Sequence, residues 1–398
     1  MMNRRNFFLK SSLAAMGAAS ISKAAEQAKD GGSTVDEMGF PVTMAPRHDG
    51  CEIIWAVNAG GKPVKGYIEY GETEKLGETM KNDGWGLRPS GDKVIKVRLE
   101  GLKPGTKYCY RTVTESYDTK KPEVKKSGVR TFTTLDPAAG KCKFSVWNDT
   151  HKHYDTVKKL EEMTTAGDFL FLNGDICNDW HTEEDIPETL LENGGIEMSA
   201  KHPLFFVRGN HDIRGAYAGK MEEYCAMPED KPWYAFRQGP VAFICMDTGE
   251  DKPDDHPYLF GRVACEPMRK EQAEWLAKVI EQPEMKNAPY RVLFCHIPLR
   301  WTNETEKRSY DSHSKRSRDL WHDSLVKWKA QVVVSGHMHR TALIDPTDDF
   351  PYAQLVGGGP KMDSATVITG EADEKEFTLK CTKLDKSLAH ELKLKPLT

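Results

Sequence analysis

The run VVVSGHMHR ends in two histidines one residue apart, His337 and His339. Imidazoles that close either share a polar turn by chance or hold something between them. The same kind of ending recurs along the chain. KFSVWN is followed by Asp149-Thr150-His151, FLFLNG by Asp175, FFVRG by Asn210-His211-Asp212 and RVLFC by His296. Carboxylates, imidazoles and one amide thus follow five separate apolar runs. Nitrogen and oxygen donors of this kind suit zinc, manganese or iron, and there are about twice as many as the three or four protein ligands one catalytic ion takes. Two divalent or mixed-valence ions are therefore expected. Asp175, alone behind its strand in NGD, is the expected bridging carboxylate. Two cations about 3.5 to 4 Å apart can stabilise both the entering and the leaving oxygen of an in-line displacement at phosphorus. Phosphoester hydrolysis is the chemistry that most needs such a pair. A lone histidine such as His296 is more often a core or surface residue; the recurrence behind every apolar run is what carries the expectation.

The elements that must position these residues are legible in the same runs. KFSVWN, DFLFLNGD, PLFFVRGN, VAFICMD, YRVLFCH and QVVVSGH are short and apolar without alternation, the pattern of strands covered on both faces. DTVKKLEEMTT, EQAEWLAKVIEQ and SRDLWHDSLVKWKA between them carry apolar residues at helical spacing. That alternation predicts an α/β sandwich. In such sheets the loops at the carboxyl ends of strands gather on one rim, so five distant stretches would meet in one cleft. TVITGE, EFTLKCTKL and HELKLKP predict closing strands that extend a sheet. From Phe40 to Leu135 the texture differs: CEIIWAV, VKGYIEYG, KVIKVRLEGL, KYCYRTVTE and VRTFTTL read as strands of a smaller all-β sandwich. Its LKPGTKYCYR resembles the corner of fibronectin type III domains, where a tyrosine hydroxyl bonds back to the backbone. Tyr108 would be that tyrosine and Trp55 the core tryptophan. The expected division is a signal peptide over 1–25, a linker over 26–39, the β-sandwich over 40–136 and the α/β domain with its closing strands over 137–398.

The ordered set D-x-H, G-D, G-N-H-D, H and G-H-x-H, spanning roughly Lys141 to Arg340, resembles the calcineurin-like metallophosphoesterase superfamily. The resemblance implies an αββα sandwich with Asp149, His151, Asp175 and His339 on one ion and Asp175, Asn210, His296 and His337 on the other. It implies hydrolysis by hydroxide held at the metals. His211 would protonate the leaving oxygen, with Asp212 holding its ring. A β-sandwich ahead of this domain is similar to the organisation of purple acid phosphatases. That branch has D-x-G first and G-D-x-x-Y second, whose tyrosine binds ferric iron; here His151 and Asn178 stand at those places, so tyrosinate colour is not expected. GDICNDW also departs from the second motif of serine/threonine protein phosphatases. The D-x-H form is shared with bacterial phosphodiesterases.

Substrate contacts are assigned to Arg214 and Arg300, a few residues past the ligand motifs, where guanidinium groups could grip phosphate. DTGEDKPDDHPYLFGR, polar and long, is a candidate loop over the site. Of the 398 residues, 29% are charged, with a net charge of −4, which provides no basic field for a nucleic-acid polymer. The amino-terminal MMNRRNFFLKSSLAAMGAASISKAA, with Arg4 and Arg5, resembles a twin-arginine export signal, and its apolar stretch is too short to span a bilayer. Nine cysteines without C-x-x-C pairs indicate neither a zinc ribbon nor a disulfide framework. The expected protein is an exported, periplasmic or extracellular phosphoesterase acting on small phosphorylated substrates, with monoesters favoured. The alternative is a phosphodiesterase or nucleotide hydrolase with the same site. A non-enzyme reading, a glycan- or protein-binding module with a relic hydrolase domain, conflicts with a donor set from which nothing is missing.

Overall fold

The computed structural model describes residues 36–58, 64–81, 93–116, 123–302 and 309–397. The expected signal peptide and residues 26–35 of the expected linker lie outside them. Eight strands come first: β1 (Asp36–Met44), β2 (Cys51–Asn58), β3 (Val64–Gly71), β4 (Glu78–Lys81), β5 (Val94–Leu99), β6 (Lys107–Ser116), β7 (Val124–Lys126) and β8 (Arg130–Thr133). The α/β part contributes β9 (Cys142–Trp147), β10 (Phe169–Asn173), β11 (Leu204–Val207), β12 (Tyr234–Gln238), β13 (Val241–Cys245), β14 (Tyr290–Phe294), β15 (Val332–Ser335), β16 (Ala342–Ile344) and β17 (Ala353–Val356). The chain closes with β18 (Thr366–Ala372), β19 (Phe377–Lys383) and β20 (Leu388–Leu394).

Two sheets face each other in the α/β part. One runs β20-β19-β18-β9-β10-β11 and continues into the first strands; the other runs β12-β13-β14-β15-β17-β16. Within them β9, β10 and β11 are parallel neighbours, as are β13, β14, β15 and β17. Every residue of β10, β11, β13 and β15 is buried, which explains their unbroken apolar runs. Phenylalanine rings fill the interface: Phe171 stacks on Phe294 and Phe205 on Phe236 at 4.0 Å between centroids, and Phe144 lies on Phe169 at 5.1 Å. Truncating one of these rings to alanine removes about 3–5 kcal/mol. The helices Cys265–Val279 and Ser309–Trp328 cover the outer face of the second sheet, burying Leu276, Trp321, Leu325 and Trp328 with Ile244, Leu293 and Val333.

The all-β part is a sandwich of β1-β2-β5 against β4-β3-β6-β7, with β8 on β6. Trp55, Ile68, Val97, Tyr108 and Phe132 form its core. The Tyr108 hydroxyl accepts from the Lys103 amide at 3.0 Å, five residues upstream, the corner that the fibronectin resemblance implies. Trp55 donates its indole N–H to Thr114 Oγ1 at 2.9 Å. All nine cysteines are buried and free.

Two features depart from a sandwich that simply precedes the α/β domain. Strand β1 starts at Asp36, inside the stretch expected to be linker. It also pairs in parallel with β11 at Met44 and Leu204, and the Ala45 amide donates to Leu204 O at 2.9 Å, so one nine-stranded sheet crosses the expected boundary. Polar ties reinforce the join. Arg98 bridges Glu52 and Asp230, Lys96 donates to the Glu222 and Cys225 carbonyls, and Arg130 pairs with Glu197 at 2.6 Å.

Candidate metal centre

The chemistry-bearing residues sit where β9, β10, β11, β14 and β15 end. Leaving these strands, the backbone turns sharply, and Asp149, His151, Asp175, His337 and His339 all adopt positive φ, between 43° and 72°. Such conformations are uncommon for residues with a Cβ and persist only where the surroundings impose them, often at functional sites. Gly174 has a φ of 82°, and a Cβ there would lie 2.3 Å from His296 Nδ1. A Cβ on Gly336 would meet Asp149 Oδ2 at 2.4 Å. Glycine at both places lets the loops close on each other.

The donor atoms form three overlapping groups: Asp149, His151 and His339; His151, Asp175 and His211; Asp175, His296 and His337. Within each, the donor atoms lie no more than 4.8 Å apart. Asp149, Asp175, Asn210 and His296 are at most 2% exposed. His296 donates Nδ1–H to the Asn173 carbonyl at 2.8 Å, which leaves a bare lone pair on Nε2. That lone pair faces Asp175 Oδ2 at 3.1 Å and Asp149 Oδ1 at 3.8 Å. His151 is fixed in the same way, its Nδ1 on Asn178 Oδ1 at 2.7 Å, and its Nε2 faces His339 Nε2 at 3.1 Å. His337 Nδ1 lies 2.8 Å from Asn210 Oδ1. Lone pairs aimed at carboxylates and at one another repel unless positive charge lies between them. Without an ion between them the carboxylates draw a proton to His296 instead: burial depresses its pKa, but Asp175 and Asp149 outweigh burial and raise it to about 10, so positive charge is favoured at Nε2. His337 is depressed to about 4, by burial and then by charge on His296. The donor set therefore fits a pair of cations, with the Asn173 carbonyl and Asn178 already holding the His296 and His151 rings.

His211 lies beside this group, its ring 5.0 Å from that of His151. The expectation that Asp212 holds the ring is corrected. His211 Nδ1 is 2.7 Å from Asp179 Oδ1, whereas Asp212 Oδ2 accepts from the Asp175 and Gly209 amides at 2.7 and 2.8 Å. The short 3-10 turn His211–Ile213 points the side chain next in sequence inward, under the loops. Burial, then the charge of Asp175, raises the Asp212 carboxyl to about 7. On His211, burial is outweighed by the Asp179 hydrogen bond, so its pKa is raised. Asp179 was missed because it lies four residues past a recognised ligand; the one available signal was a second carboxylate in GDICND.

Both arginine assignments are corrected as well. Arg214 is buried, donating Nε to Glu250 at 2.6 Å and Nη2 to Asp251 at 2.9 Å, while Nη1 faces His211 Nε2 at 3.3 Å. Its charge answers two carboxylates and tunes His211, so it is no open clamp for phosphate. Arg300 donates Nη1 to the Asp345 and Tyr352 carbonyls, both at 3.0 Å, and lies over Phe350, which removes it from the substrate set. The 247–262 segment does reach the site: Tyr258 donates its hydroxyl to Asp179 Oδ2 at 3.0 Å.

These two aspartates separate in one experiment. Asp179→Ala is expected to lower kcat by about 10- to 100-fold, the usual effect of losing a partner that orients a functional histidine, with bound metal unchanged. Asp212→Ala leaves two buried amides without an acceptor and is expected to cost about 1–3 kcal/mol of stability, read by denaturant unfolding.

Facing sheets whose strand ends gather histidines, aspartates and an asparagine into adjacent donor groups are consistent with a binuclear metal site. Residues 143–341, half of the chain, match the family model described as calcineurin-like phosphoesterase, and the chain belongs to that family. A Mus musculus relative, serine/threonine-protein phosphatase CPPED1, is 29% identical over 194 residues, 47% of this chain and 58% of that protein. Purple acid phosphatase 15 of Arabidopsis thaliana is 23% identical over 282 residues, 61% of this chain and 48% of that protein. The chain thus spans about half the length of the curated relatives it matches. The fold is similar to that of purple acid phosphatase PPD1 from yellow lupin (Lupinus luteus), with a TM-score of 0.64 at 14% identity over 89% of this chain and 74% of that one. Among the described residues no helix is long and apolar enough to cross a membrane.

Proposed function

We propose that the protein is an exported, metal-dependent phosphomonoesterase. The observation that carries this reading is the convergence of Asp149, His151, Asp175, His296 and His339 with their lone pairs turned inward, beside a histidine backed by its own carboxylate. One ion would be held by Asp149, His151, Asp175 and His339, and the other by Asp175, Asn210, His296 and His337. When bound, such a pair neutralises phosphoryl charge and supplies an activated water. Oxygen and nitrogen donors without thiolate favour iron, zinc or manganese. His211 would offer a proton from Nε2 to the departing oxygen, with Asp179 in contact with Nδ1 and raising the pKa of the ring. Arg214, a like charge at 3.3 Å, prevents that proton from being held too tightly. Export rests on Arg4 and Arg5 with the small-residue stretch behind them. In this reading the β-sandwich braces the catalytic half, and any glycan or protein partner would meet its outer sheet, β4-β3-β6-β7.

A second reading, hydrolysis of phosphoserine or phosphothreonine in proteins, is favoured by the name of the mouse relative. A panel of phosphomonoesters, phosphodiesters, nucleotides and phosphopeptides, assayed with protein loaded with each metal, separates the readings. Monoesters are expected to turn over at least about 100-fold faster than diesters, a difference of about 2.7 kcal/mol in barrier. Preferential turnover of diesters overturns the first reading, and turnover of phosphopeptides alone narrows its monoesters to phosphoproteins. Cell fractionation of wild type and of an Arg4→Lys, Arg5→Lys variant tests export.

A further inference from the structure

Next to His211 lies a cavity of about 320 Å³. Two of its lining residues, Asp179 and Arg214, are those that contact the His211 ring. If His211 delivers a proton to the leaving oxygen, whatever organic group that oxygen carries must extend from the phosphorus past His211. Through Asp179 and Arg214 the cavity lies against the His211 ring, where such a group could enter it. Ile213, Tyr258, Leu259, Phe260 and Val263 give its lining an apolar and aromatic part, beside the polar His181 and Arg262. A second cavity of about 200 Å³ adjoins it, sharing Ile213, Arg262 and Val263.

Phe260 closes the turn Pro257–Leu259 as its left-handed cap, with its ring outside the core. Phe260 is 81% exposed and adopts a φ of 51°, a left-handed conformation that a bulky aromatic residue rarely takes. An exposed ring held in a strained backbone gains nothing from the core, and strain of this kind gathers at ligand clamps. Tyr258, 51% exposed, has its hydroxyl tied to Asp179 and its ring beneath the Arg214 guanidinium at 5.5 Å. The turn Pro257–Leu259 and its cap thus bring two rings to the cavity, Phe260 largely exposed and Tyr258 with the Arg214 and Lys252 cations over its ring.

We infer that this cavity is a leaving-group subsite for a planar aromatic alcohol, and that Phe260 and Tyr258 select aryl phosphates over small alkyl phosphates. The inference rests on the phosphoesterase reading of the metal centre. Stacking between rings accounts for the selection, because offset aromatic contact adds to burial. Tyr258, bonded to the carboxylate that orients His211, couples an occupied subsite to the proton donor.

The test compares wild type, Phe260→Ala and Phe260→Trp on phenyl phosphate and methyl phosphate. Calorimetric binding of benzylphosphonate and methylphosphonate to the same metal-loaded proteins runs in parallel. Phe260 is exposed, so both variants are expected to fold. Phe260→Ala should raise KM for phenyl phosphate and weaken benzylphosphonate binding by about five- to tenfold, with kcat unchanged. Methyl phosphate and methylphosphonate should change by less than about twofold, and Phe260→Trp should restore the aryl preference. Equal effects on both members of each pair, or no effect on either, overturn the subsite while wild-type turnover keeps the phosphoesterase reading. A wild-type protein that hydrolyses neither ester but binds benzylphosphonate more tightly through Phe260 overturns the activity and supports the subsite.

Discussion

Asp175→Asn is expected to abolish metal retention and turnover together. Its two oxygens serve different neighbours: Oδ2 faces the His296 and His151 ring nitrogens at 3.1 and 3.7 Å, and Oδ1 accepts from the His211 amide at 2.8 Å. Asparagine would keep the size but replace one oxygen by an N–H₂ donor, aimed either at bare imidazole lone pairs or at a backbone N–H. It also removes the charge around which the centre is organised. Burial opposes ionisation of Asp175, yet the surrounding imidazoles hold it far below the usual carboxylate range. A metal pair lowers such a barrier by several kcal/mol, so its loss is expected to reduce kcat/KM by about 10³-fold or more. Elemental analysis after gel filtration, with activity measured on the same fractions, checks this. A variant retaining both ions would show that Asp175 does not bridge.

His211→Ala is the complementary case. It is expected to keep both ions and lose about 10²- to 10⁴-fold in kcat, the range that a positioned general acid contributes. The loss should shrink as the leaving group becomes a better one, since an alcohol that departs as a stable anion needs no proton. Kinetics on phosphomonoesters of graded leaving-group acidity, with metal content measured alongside, distinguishes an acid from a ligand. Equal loss for every ester would remove the acid role.

The residues of the centre were legible because each stands directly behind an apolar strand, where chain order alone places it on the rim. Asp149, Asp175, His296 and His337 needed no knowledge of tertiary packing to be found. What lay beyond reach depends on the direction of side chains in irregular backbone. Asp212 adjoins His211 in sequence and does not touch its ring, while Asp179, thirty-two residues away, does. Left-handed turns at Asp175 and Asp179 bring that about, and no periodicity reports them. Arg214 and Arg300 were equally plausible from spacing; Glu250, Asp251 and two carbonyls, all distant in sequence, decided against both as phosphate clamps. The sandwich was visible in its alternation and its tyrosine corner. Its fusion to the α/β sheet was not, because Met44 meets Leu204 across 160 residues of chain.

Anomalous X-ray scattering from crystals of the metal-loaded protein tests the central claim most directly. Two peaks about 3.5 to 4 Å apart are expected, one ligated by Asp149, His151, Asp175 and His339 and the other by Asp175, Asn210, His296 and His337. A preparation that hydrolyses phosphoesters while showing a single peak, or none, at these residues would contradict it.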